Sequence, residues 1–237
     1  MSDARTLFTL VRGLPRTGDH ADRLSAFYGP QADHYDDFRE RLLHGRDELV
    51  SLMPVRRGGV IVEMGGGTGR NVERFGPRLA RLRRVYVVDL CRPLLEVARR
   101  RALLQPKLAV EEGDAATWRA SEPIDAIYFS YSLTMIPDWR AALDNAIAQL
   151  KPGGTLGVVD FYVSAARAEG GLRQHTPWTR WFWPRWFGHD GVRLSPEPLA
   201  YLRSRLETVV LAERLGAVPW LPMLRVPYYV FAGRRPA

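Results

Sequence analysis

Val60-Ile61-Val62-Glu63-Met64-Gly65-Gly66-Gly67-Thr68-Gly69 is the stretch that decides the fold of this chain. Val60 to Glu63 reads as a strand buried on both faces, and it runs through Met64 straight into glycines. A helical pattern follows over about residues 69–81. The backbone can therefore approach a ligand at the start of a helix, which implies a cofactor. The dinucleotide pattern G-x-G-x-x-G begun at Gly65 requires glycine where Arg70 stands, and the phosphate-loop pattern lacks its Gly-Lys-Ser/Thr ending. What is left is acid-x-Gly-x-Gly-x-Gly, anchored on Glu63.

Outward from this loop, short β-branched runs alternate with amphipathic ones. Strands are predicted at Arg84 to Val88, Leu108 to Glu111, Ile124 to Ser130 and Thr155 to Phe161, and helices near 92–104 and 138–150. This rhythm argues a parallel sheet covered on both faces. Two further strands, near Thr208 to Arg214 and Tyr228 to Gly233, follow a helix from Pro198 to Leu206 and suit an antiparallel hairpin at the sheet edge. Upstream, Asp19 can cap a first helix, Gly29-Pro30 breaks it, and Phe38, Leu42, Leu49 and Leu52 fall at helical spacing. The reading is one domain: a helical lid over 1–57, a cofactor-binding core over 58–162, a Trp-rich insertion over 163–195, and a C-terminal helix and hairpin over 196–237.

Three more elements stand in order behind the glycine loop. Asp89 ends the second strand, twenty residues beyond Gly69, where a carboxylate can accept from two ribose hydroxyls. Gly113-Asp114-Ala115 follows the third strand, and Lys151-Pro152-Gly153-Gly154 turns into the fifth. Together with acid-x-Gly-x-Gly-x-Gly they resemble the class I S-adenosylmethionine-dependent methyltransferases. The resemblance implies a Rossmann-like α/β fold, with a mostly parallel seven-stranded sheet, an antiparallel C-terminal hairpin and an N-terminal helical lid, and S-adenosyl-L-methionine as cofactor. The candidate cofactor residues are Tyr35, Arg46, Glu63, Gly65, Gly67, Gly69, Asp89, Leu90, Asp114, Ala115 and Ser130. Plainer roles stand beside these: Glu63 can simply hold the loop, Gly66 can be a spacer, Asp89 can cap the helix near Pro93, and Cys91 can be a filler.

Narrower strings point to the acceptor. Tyr35-Asp36-Asp37-Phe38-Arg39, Leu42-Leu43-His44-Gly45-Arg46, Tyr131-Ser132-Leu133-Thr134-Met135-Ile136-Pro137-Asp138-Trp139 and Val159-Asp160-Phe161-Tyr162 resemble the betaine-lipid N-methyltransferases. That family converts diacylglyceryl homoserine to its trimethyl form. The resemblance runs from about Phe27 to Arg234, and Gly66 departs from it where many relatives carry another small residue. Tyr35, Tyr131 and Asp160 are the candidate catalytic residues: the aromatic faces of Tyr28, Tyr35, Tyr131 and the insertion's tryptophans tolerate a nitrogen growing into trimethylammonium, and Asp160 can orient the amine. His34 is a candidate proton acceptor, and Arg39 or Arg46 can pair with a carboxylate.

Composition bounds the remainder. The 237 residues are 46% apolar and carry a formal charge of +8, with 34 basic against 26 acidic side chains. Only Lys107 and Lys151 are lysine. One cysteine excludes an internal disulfide, and the five histidines lack zinc-site spacing, so no metal is expected. No apolar run reaches the ~20 residues of a membrane span, and the start lacks a leader's apolar stretch. The expected place is the cytoplasm, peripheral at the inner membrane face. The partner expected beyond the lipid amine is that membrane, touched through residues 176–188 by Trp178, Trp181, Trp183 and Trp186 among arginines. Phosphatidylethanolamine, quinone-precursor and small-amine methyltransferases are the alternatives. The charge also admits an RNA-binding protein or RNA methyltransferase, although no nucleic-acid partner is expected, since no RNA-binding module is appended.

Overall fold

The strand from Val60 to Met64 (β1) is buried at every position, as a strand covered on both faces must be. The computed structural model describes residues 18–30, 35–168, 170–219 and 221–236, and all their side chains except those of Tyr35, Asp37, Phe38 and Pro222. In it β1 lies between β2 (Arg84–Asp89) and β4 (Ile124–Ser130), both parallel to it. β3 (Leu108–Glu112) pairs outside β2, and β5 (Leu150–Phe161) outside β4. β6 (Glu207–Val218) and β7 (Leu221–Arg234) form the antiparallel hairpin, with β7 against β5. The order β3-β2-β1-β4-β5-β7-β6 is that of a Rossmann-like class I methyltransferase fold, as expected. It reverses between β1 and β4, so the loops leaving these strands diverge and open a crevice at their carboxyl ends.

Three helices precede the sheet: α1 (His20–Tyr28), α2 (Tyr35–Leu42) and α3 (Arg46–Leu52). Asp19 caps α1, accepting from the Asp22 amide at 2.8 Å. After β2 comes α4 (Arg92–Ala102), with proline in its first turn and Arg99, Arg100 and Arg101 in its last, where the helix dipole favours cations. α5 (Trp139–Gln149), α6 (Pro177–Gly188) and α7 (Glu197–Arg205) complete the set. Leu49, Met53, Phe75 and Leu95 fill one face of the sheet, and Leu143, Ile147, Leu199 and Leu202 the other. Leu24, Phe27 and Tyr28 of α1 form a separate cluster with Cys91 and Leu94, which holds this helix over the start of α4.

Three expectations change. The helix after the glycine loop is a 3-10 segment, Arg70–Arg81, broken at Gly76 with φ 51°. Pro77 disfavours helical backbone in the residue before it, and glycine alone takes the left-handed alternative freely. Lys151-Pro152-Gly153-Gly154 is a bulge within the ladder: Ile124 pairs with Leu150, and Ala126 with Thr155. The Trp-rich helix α6 divides its aromatics, because Trp183 and Phe187, one turn apart, face the core while Trp178, Trp181 and Trp186 are exposed. Trp183 therefore cannot meet a membrane.

Asp125 on β4 ties three strands together. Its carboxylate accepts from the Val60 amide of β1 at 2.9 Å and from Lys151 Nζ of β5 at 2.8 Å. Burial pushes its pKa up, but these donors outweigh burial and hold it below the ordinary aspartate range. Stability from a depressed carboxyl is present above the unfolded-state pKa and is lost as pH falls through the folded one. Asp125→Ala should cost about 2 kcal/mol at pH 7, the scale of a charged hydrogen bond plus an orphaned amide. The deficit should shrink below about pH 4 in urea unfolding, where the wild-type carboxyl also becomes neutral.

Candidate functional site

At the carboxyl ends of β1, β2 and β4 the described residues enclose a cavity of about 240 Å³. Its floor is the glycine loop. Gly65 and Gly67 have φ of 66° and 54°, a backbone region costly for other residues. A Cβ at Gly65 would overlap the Ser132 Cβ, so the loop after β1 and the loop after β4 meet at contact distance only because Gly65 has no side chain. The amides of Gly65 and Gly66 donate to the Val88 carbonyl at 2.8 and 3.1 Å, and Ser132 Oγ donates to the Met64 carbonyl at 2.8 Å. Gly66 is more than a spacer, since a Cβ there would stand 2.9 Å from Val87 Cγ1. Gly69, φ 71°, opens the 3-10 segment and does not line the cavity.

Five acids border the cavity, Asp36, Glu63, Asp89, Asp114 and Asp138, and three of them, Glu63, Asp89 and Asp114, are the expected cofactor residues. Glu63 is buried and accepts from Asn71 Nδ2 at 2.7 Å and Tyr128 Oη at 3.0 Å. Burial pushes its pKa up to about 7 against those two donors. Glu63 thus both lines the cavity and braces the loop. Asp89 accepts from the Gly67 amide through Oδ2 and the Cys91 amide through Oδ1, each at 2.8 Å. Both carboxylate oxygens are thereby fixed by backbone donors, and the group keeps acceptor capacity for a further donor from the cavity. Burial raises its pKa as well, and the helix beginning beyond it takes Cys91, not Asp89, as N-cap. Asp114 lies exposed on the loop after β3, its Oδ1 accepting from the Ala116 amide at 2.8 Å. Leu90, Ala115 and Ser130 line the same space, and Ser130 Oγ is buried without a hydrogen-bond partner among the described residues.

The helical preface forms the opposite wall. Gly45 has φ 77°, and a Cβ there would press to 2.8 Å from Tyr228 and 3.0 Å from Val230, which explains glycine in Leu-Leu-His-Gly-Arg. Arg46 beside it is buried, donates to the Leu43 carbonyl at 3.0 Å and pairs with Glu40 at 2.9 Å. Tyr131 follows β4 with φ 54°, its ring 4.6 Å from that of Phe161, and its hydroxyl donates to the His44 carbonyl at 2.8 Å. The two narrow strings 42–46 and 131–139 therefore touch at the cavity wall.

The structure separates the remaining candidates. Asp160 is off the cavity and fully buried; it accepts from the Thr134 amide at 3.0 Å, from Thr134 Oγ1 at 2.8 Å and from the Phe161 amide at 2.8 Å. Fully buried and away from the cavity lining, its carboxylate does not face an acceptor there; its bonds position the 3-10 turn Leu133–Met135. Burial lifts its pKa to about 7 despite these donors. Tyr35 opens α2, but its side chain, like all of His34, lies outside the described residues. Cys91 lines the cavity as an inert thiol, pushed up to about 12 by burial.

Asp36, His20 and Asn71 line the cavity without being singled out in the sequence. Asp36 accepts from Thr68 Oγ1 at 2.8 Å and Arg101 Nη2 at 2.6 Å, latching α2 to the glycine loop and α4. Its neighbour in the Tyr-Asp pair drew attention instead. Tyr28, whose ring is expected beside those of Tyr35 and Tyr131, does line the cavity, and its hydroxyl donates to Met135 Sδ at 3.1 Å. His20 borders the cavity, and burial and then Arg23 hold its imidazole below the ordinary range, hence neutral at pH 7. Asn71 is the partner of Glu63. None of these carries a motif, and only the Tyr-Asp string gave a signal.

Known proteins resemble this chain in sequence and in fold. Residues 61–154 match the family model described as a methyltransferase domain. The ubiquinone/menaquinone biosynthesis C-methyltransferase UbiE of Hydrogenovibrio crunogenus is 24% identical over 149 residues, 59% of this chain and 58% of that protein. The chain thus spans less than two thirds of that curated relative. Phosphoethanolamine N-methyltransferase 2 of Haemonchus contortus, solved with S-adenosyl-L-methionine, superposes with a TM-score of 0.70 at 13% identity over 94% of this chain and 61% of that one. The [4+2]-cyclase SpnF superposes with a TM-score of 0.68 at 18% identity over 95% and 99%. The chain therefore has the class I methyltransferase fold, and the stretch that matches the methyltransferase-domain model contains the glycine loop together with Glu63, Asp89 and Asp114.

Proposed function

We propose that this protein methylates an amine with S-adenosylmethionine, and that the acceptor is the amine of diacylglyceryl homoserine, carried to the trimethylated betaine lipid. The observation that carries the reading is the single cavity walled by the glycine loop, Asp89 and Asp114 on one side and by Arg46 and Tyr131 on the other. The donor set fits S-adenosylmethionine. Asp89 offers lone pairs to ribose hydroxyls, Asp114 to an adenine amine, and the buried Arg46 a cation to the amino-acid carboxylate. Gly65 and Gly67 let backbone stand against the ligand. When bound, S-adenosylmethionine supplies an electrophilic methyl on a sulfonium.

Methyl transfer to nitrogen asks the chain for orientation and for one lost proton, not for a nucleophile of its own. Tyr28, Tyr131 and Met135 border the cavity beside the acids, and electron-rich ring faces stabilise a cationic nitrogen without binding any particular proton on it. Tyr131 has its hydroxyl proton engaged at His44, so it acts through its ring and through the wall it holds in place. His20, neutral at pH 7, is the cavity imidazole able to take up a proton. The lipid acceptor is supported by the two narrow strings, which meet at the Tyr131–His44 contact. The SpnF likeness favours a second reading in which this fold serves another reaction, since fold does not fix chemistry.

Asp89→Ala should weaken binding of S-adenosylhomocysteine by about 1.5–3 kcal/mol in calorimetry, the scale of hydrogen bonds to a charged group. Unchanged affinity would remove Asp89 from the site. In a host supplied with diacylglyceryl homoserine, lipid mass spectrometry should show three added methyl groups on expression of the chain. Absence of any methylated homoserine lipid, with cofactor binding intact, would overturn the acceptor and leave the donor standing. Tyr131→Phe frees the His44 carbonyl, and should slow turnover several-fold while cofactor affinity changes little.

A further inference from the structure

The outer face of α6 is a row of exposed aromatics. Trp178 is 59% exposed, Trp181 49% and Trp186 48%. They stack on one another and on Phe182, with ring centroids 5.2 Å apart for Trp178–Trp181 and 5.5 Å for Phe182–Trp186, and Arg185 lies over Trp181 at 4.8 Å. Large aromatics facing water in a contiguous group mark a contact surface, not a solvated face.

A second apolar element projects at the same end of the sheet. β7 pairs with β5 no further than Tyr228, opposite Phe161, yet begins at Leu221. Seven residues at about 3.3 Å each carry the hairpin tip roughly 23 Å past the end of β5. Met223 near that tip is 92% exposed, and Leu215 and Leu221 are exposed beside it. α6 sits at this end too, because Phe187 stacks on Phe161 at 4.9 Å. The hairpin also reaches the preface, where His44 Nε2 lies 2.9 Å from the Ala217 carbonyl oxygen.

Charge selects the occupant. Residues 170–189 and 214–226 contain five arginines and no acid, in a chain where 26 of 237 residues are acidic; Arg214 is paired with Glu48 at 2.7 Å, and Asp190 and Glu213 adjoin these stretches, so the positive sign of the surface rests on Arg173, Arg180, Arg185 and Arg225. A second copy of this chain would bring arginines against arginines, which opposes association. An anionic lipid surface accepts both features: tryptophan and methionine enter the headgroup boundary while arginines meet phosphates. We infer that α6 and the tip of the β6–β7 hairpin together form a docking surface for an anionic membrane, holding the cavity end of the sheet toward the lipid. This inference is independent of the acceptor proposed above.

Flotation with phosphatidylglycerol–phosphatidylcholine vesicles, containing no acceptor lipid, tests it. Wild-type protein should float with these vesicles, less with pure phosphatidylcholine, and less as salt rises. The triple variant W178S/W181S/W186S and, separately, Met223→Asp should each lose at least about tenfold of the bound fraction. Thermal unfolding checks that each variant folds, and if the tryptophan variant does not, Met223→Asp at its exposed position carries the test. The surface is refuted if wild type ignores anionic vesicles, or if folded variants float as well as wild type. It is equally refuted if the substitutions abolish binding to an RNA homopolymer or a concentration-dependent dimer while flotation stays unchanged.

Discussion

The close approach of the loop after β1 to the loop after β4 is the constraint on which the site depends. Gly65 leaves room for Ser132, whose hydroxyl then reaches the Met64 carbonyl. With these loops locked, the amides of Gly65 and Gly66 can bind the Val88 carbonyl, which sets β2 and so Asp89. Asp89 returns a bond to the Gly67 amide. A parallel sheet whose order reverses between β1 and β4 would open a crevice there in any case; the glycine contact decides its shape and keeps backbone, not side chain, on its floor.

Around that floor the chain buries carboxylates at a cost and satisfies each with donors. Glu63 has Asn71 and Tyr128, Asp89 two backbone amides, and Asp160 Thr134 and its own following amide. Their outcomes differ by position. Glu63 and Asp89 keep one side on the cavity, whereas Asp160, without access, serves only to fix the turn that carries Met135 to the cavity wall. Asp125, at the other end of the sheet, has a lysine partner and so keeps its charge at lower pH.

Much of this was legible in the sequence, for physical reasons that also mark where reading stops. All seven strands show in β-branched runs, the helices Arg92–Ala102, Trp139–Gln149 and Glu197–Arg205 show in 3.6-residue spacing, and Asp19 marks the helix it caps. The 3-10 segment was missed because its apolar spacing mimics a helix while Pro77 breaks it. Gly65, Gly67, Asp89 and Asp114 follow from a local motif and from strand ends. Asp36 and His20 do not, because their place on the cavity depends on how the preface folds back across the sheet. Asp160 misled for the complementary reason: its position at a strand end suggested access, and only packing shows that Thr134 seals it. Trp183 and Trp186 look alike in sequence, and only helix phase separates the buried ring from the exposed one.

The most direct measurement is S-adenosylhomocysteine affinity across a double-mutant cycle of Gly65→Ala and Ser132→Gly. If the loop contact shapes the cofactor site, Gly65→Ala should weaken binding at least about tenfold, the scale of 1.4 kcal/mol. Adding Ser132→Gly should restore part of it by making room for the new methyl, the left-handed strain at residue 65 accounting for the remainder. Wild-type affinity in Gly65→Ala, or no recovery in the double variant of a folded protein, would contradict the account.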